Sequence, residues 1–153
     1  MKKTEDWPDL AGRLTPRGHL LPVRVYFEDT DFSGVVYHAN FLKFMERGRS
    51  DMLRLSGLSH EALIDGEHGE PLAFAVRHVD VTFLKPARID ELIEVETAVA
   101  KATAARLVLD QKIRRGGETL VEALVTVVMV NAAGRARKIP AAVAGTFISS
   151  DDV

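Results

Sequence analysis

The sequence has no cysteine. That excludes disulfides, thiolate metal sites, iron–sulfur clusters, cysteine nucleophiles and dithiol redox chemistry. It has no excess of one charge: 20 basic and 22 acidic residues leave a net charge of −2, which is no global signature of nucleic-acid binding. It has no long hydrophobic run. The longest, Leu120 to Val130, covers 11 residues and contains Glu122, whereas a membrane span needs about 20. The two lysines at the N-terminus are followed by Glu5, Asp6 and Asp9, where a secretion signal would carry its apolar stretch. The expectation is a soluble, cytoplasmic protein with no integral membrane segment.

Several motifs are also missing. There is no GxxxxGK[ST], no GxGxxG and no HExxH. Gly57-Leu58-Ser59-His60 lacks the second glycine and the preceding strand of a nucleophile elbow. Histidines 19, 38, 60, 68 and 78 show no ligand spacing, so no metal site is expected.

What is present fits one globular domain. The chain has 153 residues, 46% of them apolar and 27% charged. Residues 1–18, with Pro8, Gly12, Pro16 and Gly18, read as a flexible arm before a single domain over 19–153. Residues 22–28 alternate as a strand. A turn-rich DTDFSG loop follows.

From Asn40 the period changes. Phe41, Phe44, Met45, Gly48, Met52 and Leu55 recur at helical spacing, predicting a helix of about 17 residues ending near Gly57. Gly48 on the apolar face points to close packing against a sheet. A short second helix is expected within 58–71. Strands are expected over 74–83, 92–100, 106–114 and 120–130, with a hairpin turn at Gly116-Gly117. The near-continuous 120–130 run suits a strand covered on both faces. A turn over 131–134 and a closing segment over 141–148 complete the chain. One strand, one long helix and four further strands with short turns make an α+β domain.

The segment between the first strand and the helix carries the chemistry. It runs Glu28-Asp29-Thr30-Asp31-Phe32-Ser33-Gly34-Val35-Val36-Tyr37-His38. Two carboxylates precede a helix N-terminus, whose unpaired N–H groups and partial positive charge can hold an oxyanion beside a base or nucleophile. Asp and Asn also cap helices and close Asx-turns, so a purely structural role is open at this point. Val35, Val36 and Tyr37 are apolar in a polar loop and need cover from a ligand or a second subunit. A second feature is charge. Between Arg106 and Pro140 the seven basic residues Arg106, Lys112, Arg114, Arg115, Arg135, Arg137 and Lys138 outweigh Asp110, Glu118 and Glu122, for +4. That segment is either a solvated sheet face or an anion site.

The stretch YFEDTDFSGVVYHANFLKFMERGRSDMLR resembles the signature of the 4-hydroxybenzoyl-CoA thioesterase family, nearest its YbgC-type acyl-CoA thioesterases, and VTFLKPARIDELIEV resembles the same branch. The similarity spans about residues 22–145. It implies a hotdog fold, a five-stranded antiparallel sheet wrapped around one long central helix, assembled as a homodimer or homotetramer with active sites between subunits. It implies hydrolysis of a short-chain or aromatic acyl-CoA, or of an acyl carrier protein thioester, with no cofactor beyond the coenzyme A of the substrate. Asp31 matches the catalytic carboxylate, as base or nucleophile. His38 matches the helix-start residue whose N–H faces the thioester oxygen. Phe27, Gly34, Val35 and Tyr37 would shape the acyl pocket, and Arg137 and Lys138 would meet the coenzyme A phosphates. Glu46 matches a helix position read as structural, paired with Arg47 or Arg49. Phe27 stands where the branch carries a second tyrosine. That missing hydroxyl leaves room for a rival, a hotdog module at the envelope machinery that binds acyl-CoA or acyl carrier protein without turnover. A hotdog hydratase is a second rival, though its motif wording is not found.

Overall fold

The computed structural model describes residues 9–67, 69–141 and 143. The strands are β1 (Arg13–Thr15), β2 (Gly18–Arg24), β3 (Leu72–Phe83), β4 (Leu92–Ala102), β5 (Leu107–Arg115), β6 (Glu118–Asn131) and β7 (Ala136–Arg137), and the helices are α1 (His38–Leu55) and α2 (His60–Ile64). The strands form one antiparallel sheet in the order β1-β2-β4-β5-β6-β3, with β7 also on β6. α1 lies over β2, β4 and β5, and α2 packs on β3. The expected α+β plan of five long strands and one long helix is present, with two short strands added at the margins.

The helix follows its sequence period. Phe41, Phe44, Met45, Gly48, Met52 and Leu53 are its buried residues. Each large apolar side chain among them contributes ~1.5–3 kcal/mol of burial. Gly48 is where the helix comes closest to the sheet. A Cβ there would lie 2.9 Å from Val95 Cγ1 and 3.2 Å from Thr97 Oγ1.

Beneath Gly48 runs a row of buried polar side chains. His19, Thr97 and Gln111 are neighbours across β2, β4 and β5. Gln111 Nε2 donates to Met45 O at 3.0 Å and to Thr97 Oγ1 at 2.8 Å, and its Oε1 accepts from Arg49 at 2.9 Å. His19 Nε2 donates to Asp51 Oδ2 at 2.7 Å. Burial lowers the Arg49 pKa, and the charge of Glu46 acts the other way. Glu46 therefore acts on Arg49 from three residues earlier on the same helix.

Two expectations are corrected. The strand expected over 22–28 ends at Arg24, and Phe27–Asp29 is a 3-10 turn. The Asp29 carboxylate accepts the Tyr26 amide at 2.8 Å and the Thr30 hydroxyl donates to Phe27 O at 2.7 Å, side-chain bonds that compete with a ladder. The arm expected over 1–18 contains a hairpin, because Thr15 pairs with Gly18 around Pro16-Arg17; residues 1–8 lie outside the described residues. Within the chain β6 buries one face against the core, and its other face is the one expected to meet a partner or ligand. Val121, Ala123, Val125, Val127 and Met129 face inward, while Glu122 and Leu124 are exposed. Of the closing segment over 141–148, all but Ala141 and Val143 lies outside the described residues.

Candidate active site

The loop from Val25 to His38 is held from both sides. Val25 pairs with the β3–β4 loop: its N–H donates to Glu91 O and its carbonyl accepts from Asp90 N, both at 2.9 Å. After the 3-10 turn the chain folds back on itself. Asp31 N donates to Val35 O at 2.9 Å and Gly34 N to Asp31 O at 3.0 Å. Gly34 has φ +82°, a left-handed conformation that glycine adopts without strain. Thr30 bridges Val36, and Val35 bridges Arg88. Val36 N donates to Ala87 O at 2.8 Å.

The two aspartates have different duties. Asp29 is structural. Its carboxylate holds the Tyr26 amide, and its carbonyl accepts from Tyr37 N at 3.0 Å and Asn40 Nδ2 at 2.8 Å. Asp31 points its carboxylate away from this frame. Ser33 donates to Asp31 Oδ1 twice, through its hydroxyl and through its amide at 2.9 Å. Both bonds fall on Oδ1, which leaves Oδ2 for water or a substrate. The Ser33 hydroxyl and then its amide lower the Asp31 pKa, so the group is an anion at neutral pH.

Two residues past Val36, α1 begins at His38. Its N-cap is Tyr37, whose side chain makes no capping bond. The first-turn amides are therefore not taken up by the N-cap side chain, as an oxyanion site requires. The His38 ring lies 4.6 Å from Tyr37 and 5.9 Å, edge-on, from Phe83 at the end of β3, and Phe83 in turn meets Phe41. Phe27 and Tyr37 are exposed, as are Tyr26 and Phe32.

Phe27, Asp31, Gly34, Val35, Tyr37 and His38 thus share one tethered loop. Arg137 and Lys138 do not join it. Phe83, beside His38, pairs with Val121, whereas Arg137 pairs with Met129. Eight residues of strand separate the two, roughly 27 Å. Arg137 also donates to Glu70 at 2.8 Å.

A solvent-open cleft lies between the second half of α1, α2 and the sheet, lined by Arg49, Ser50, His60, Phe74 and Leu109 among others. No residue of the Asp31 loop lines it. The sequence reading missed Phe83 and the 84–91 loop; the available signal was VTFLKPARIDELIEV, whose backbone turns out to hold Val35 and Val36. Among the described residues no three His, Asp or Glu side chains gather as metal ligands, and no helix is long and apolar enough to cross a membrane.

This arrangement, an anionic carboxylate beside a helix start on an antiparallel sheet, matches a known class. The family model described as "Thioesterase superfamily" fits residues 33–122, more than half of the chain. The chain is 44% identical over 111 residues to "Acyl-CoA thioester hydrolase YbgC" of Escherichia coli O6:H1, covering 72% of this chain and 80% of that one. It is 38% identical over 118 residues to "Acyl-CoA thioesterase YbgC" of Haemophilus influenzae, covering 77% and 85%. A probable thioesterase from Bartonella henselae has a similar structure, with TM-score 0.78 and 44% identity over 80% of this chain and 98% of that one. The chain belongs to the thioesterase superfamily, with a hotdog fold, and within it to the YbgC-type thioesterases.

Proposed function

We propose that this chain is an acyl-CoA thioesterase that cleaves short-chain or aromatic acyl-CoA to the free acid and coenzyme A. One observation carries the assignment of the chemistry to this loop. Asp31 is anionic with Oδ2 unbonded, and it shares a hydrogen-bonded loop with the uncapped start of α1. The names of the Escherichia coli and Haemophilus influenzae relatives support the substrate class.

Asp31 acts on the thioester carbon as nucleophile or through a water as base. The His38 N–H holds the developing oxyanion, a donor worth ~3 kcal/mol in transition-state stabilisation. The thiol of coenzyme A leaves. Phe27, Gly34, Val35 and Tyr37 line the acyl group. No cofactor is required, and an acyl carrier protein thioester is the second carrier to try. The reaction belongs in the cytoplasm, where acyl-CoA is found.

The site needs a second copy of the chain. Asp31 sits on an open surface ringed by exposed aromatics, and β3 bonds to β6 on one side only, with Val76, Phe83 and Leu84 exposed along it. Two copies joined along β3 would cover these groups, as a homodimer or as half of a homotetramer. The nucleotide phosphates would then meet Arg137 and Lys138 of the second copy, at the far end of its sheet.

Thiol release from a panel of acyl-CoAs tests the reading. Wild type is expected to hydrolyse at least one short or aromatic substrate, and Asp31→Asn to lose ~10²-fold or more in kcat. Binding without release across the panel would replace the enzyme with an acyl-CoA binding module. In a single turnover in H₂¹⁸O, label in the Asp31 carboxylate would mark it as the nucleophile, with water attacking the aspartyl carbon of the mixed anhydride.

A further inference from the structure

Arg115 lies at the end of β5, outside the Asp31 loop, yet a continuous set of hydrogen bonds joins the two. One nitrogen of its guanidinium donates to Glu91 Oε2 at 2.7 Å and to Pro86 O at 3.1 Å. The other donates to Glu118. The second oxygen of Glu91 accepts the Arg88 amide at 2.7 Å, and the Glu91 amide donates back to Arg88 O at 3.2 Å. Arg115 and Glu91 therefore close the 86–91 loop from inside.

That loop is the wall against which the catalytic segment is built. Ala87, fully buried, accepts Val36 N at 2.8 Å, and Arg88 bridges Val35. Val35 O accepts Asp31 N at 2.9 Å. On the other flank, Glu91 O accepts Val25 N, two residues before Phe27. One ion pair thus anchors both ends of the segment that carries Asp31.

We propose that Arg115 and Glu91 are positioning residues for the thioesterase reaction: their paired side chains set the 86–91 loop that holds Val35, and through Val35 the Asp31 backbone, in place against the start of α1. The pair touches no substrate. Its geometry suits a guanidinium, whose separate nitrogens reach Glu91 and Pro86 on one side and Glu118 on the other, a span a single ammonium does not cover. Glu118 holds the same guanidinium from β6 and pairs with Lys85 at 3.4 Å, but bonds none of residues 86–91, so it is the milder comparison. The proposal rests on the assignment of Asp31 to catalysis.

The test uses the full chain and thiol release from the better hydrolysed of butyryl-CoA and benzoyl-CoA. Arg115→Met is expected to lower kcat about tenfold or more with KM within about twofold, the signature of a misplaced reacting group. Glu91→Gln should act in the same direction, and Arg115→Lys should recover part of kcat. Glu118→Gln should lower kcat far less than Glu91→Gln, because its second contact is to Lys85 and not to residues 86–91. Where Arg115→Met does not fold, Glu91→Gln and Arg115→Lys decide. Wild-type kcat in folded Arg115→Met or Glu91→Gln, with Asp31→Asn inactive, overturns the strut and leaves the Asp31 assignment standing. Asp31→Asn as active as wild type overturns the assignment and the strut with it. Equal losses in Glu118→Gln and Arg115→Met would also overturn it, because they would report the ion cluster's effect on the fold alone.

Discussion

Two polar assemblies in this chain, one under α1 and one leading into it, are built in opposite ways. Under α1, Gln111 uses both ends of its amide on Met45, Thr97 and Arg49, and His19 is bonded to Asp51. In the loop before α1, the backbone satisfies the backbone, and Asp31 keeps one carboxylate oxygen unbonded. The first assembly is buried, so a missing partner costs desolvation that nothing returns, and its buried polar side-chain atoms are bonded apart from His19 Nδ1. The second is open to solvent, so a free oxygen costs little and is available to react. Stability and chemistry are thereby assigned to different carboxylates and amides of one helix and its approach.

The comparison breaks first at its two centres. Asp31→Asn is expected to lose ~10²-fold or more in kcat, with its melting temperature within about 2 °C of wild type, because an exposed carboxylate supports little of the fold. Gln111→Ala should do the reverse. It strands Thr97, Arg49 and the Met45 carbonyl in the core, for a loss of about 2–3 kcal/mol in urea unfolding, while kcat per folded molecule is kept. A Gln111 variant that lost turnover without stability would erase the division between the two assemblies.

The remaining predictions sharpen it. Gly48→Ala gains up to ~1 kcal/mol of helix propensity, but its methyl meets Val95 Cγ1 at 2.9 Å, and overpacking costs ~1–3 kcal/mol. The net expectation is a loss of ~1 kcal/mol, read by the same denaturation; a gain would mean that α1 can lift from the sheet. Ser33→Ala is the mildest change. The Ser33 hydroxyl is the first cause of the lowered Asp31 pKa. Its removal makes the carboxylate easier to protonate, so the acid limb of kcat/KM against pH should move upward. Activity at neutral pH should change less than about twofold, since the group is still ionised there. An unmoved limb would detach the pH dependence from Asp31.

Much of this was legible in the chain itself, and the exceptions are instructive. The 3.6-residue recurrence of Phe41, Phe44, Met45, Gly48 and Met52 located α1, because burial along one stripe repeats with the helix period. The alternation in β4 and β5 located those strands for the matching reason. Tyr26 and Phe27 continue the alternation of β2 and so imitate a strand, yet both are exposed on a turn closed by Asp29 and Thr30. Alternation reports which faces differ, not whether either is covered. The apolar run of β6 is the other case: its inner face packs on the core, and its outer face is the one read as meeting a partner or ligand.

By itself, then, the sequence determined the element order, the helix face, the family resemblance and the loop that carries Asp31, all properties written in local spacing. Only the tertiary structure decided three others. It divided the duties of Asp29 and Asp31, because that depends on which acceptors the returning backbone reaches. It showed Gln111, which stands on the apolar face between Leu109 and Ile113, to be the bracket between helix and sheet. It brought Arg115 and Glu91 to the back of the catalytic segment and left Arg137 at the far end of β6. These are contacts between residues distant in sequence, created by strand pairing, and no local pattern encodes them.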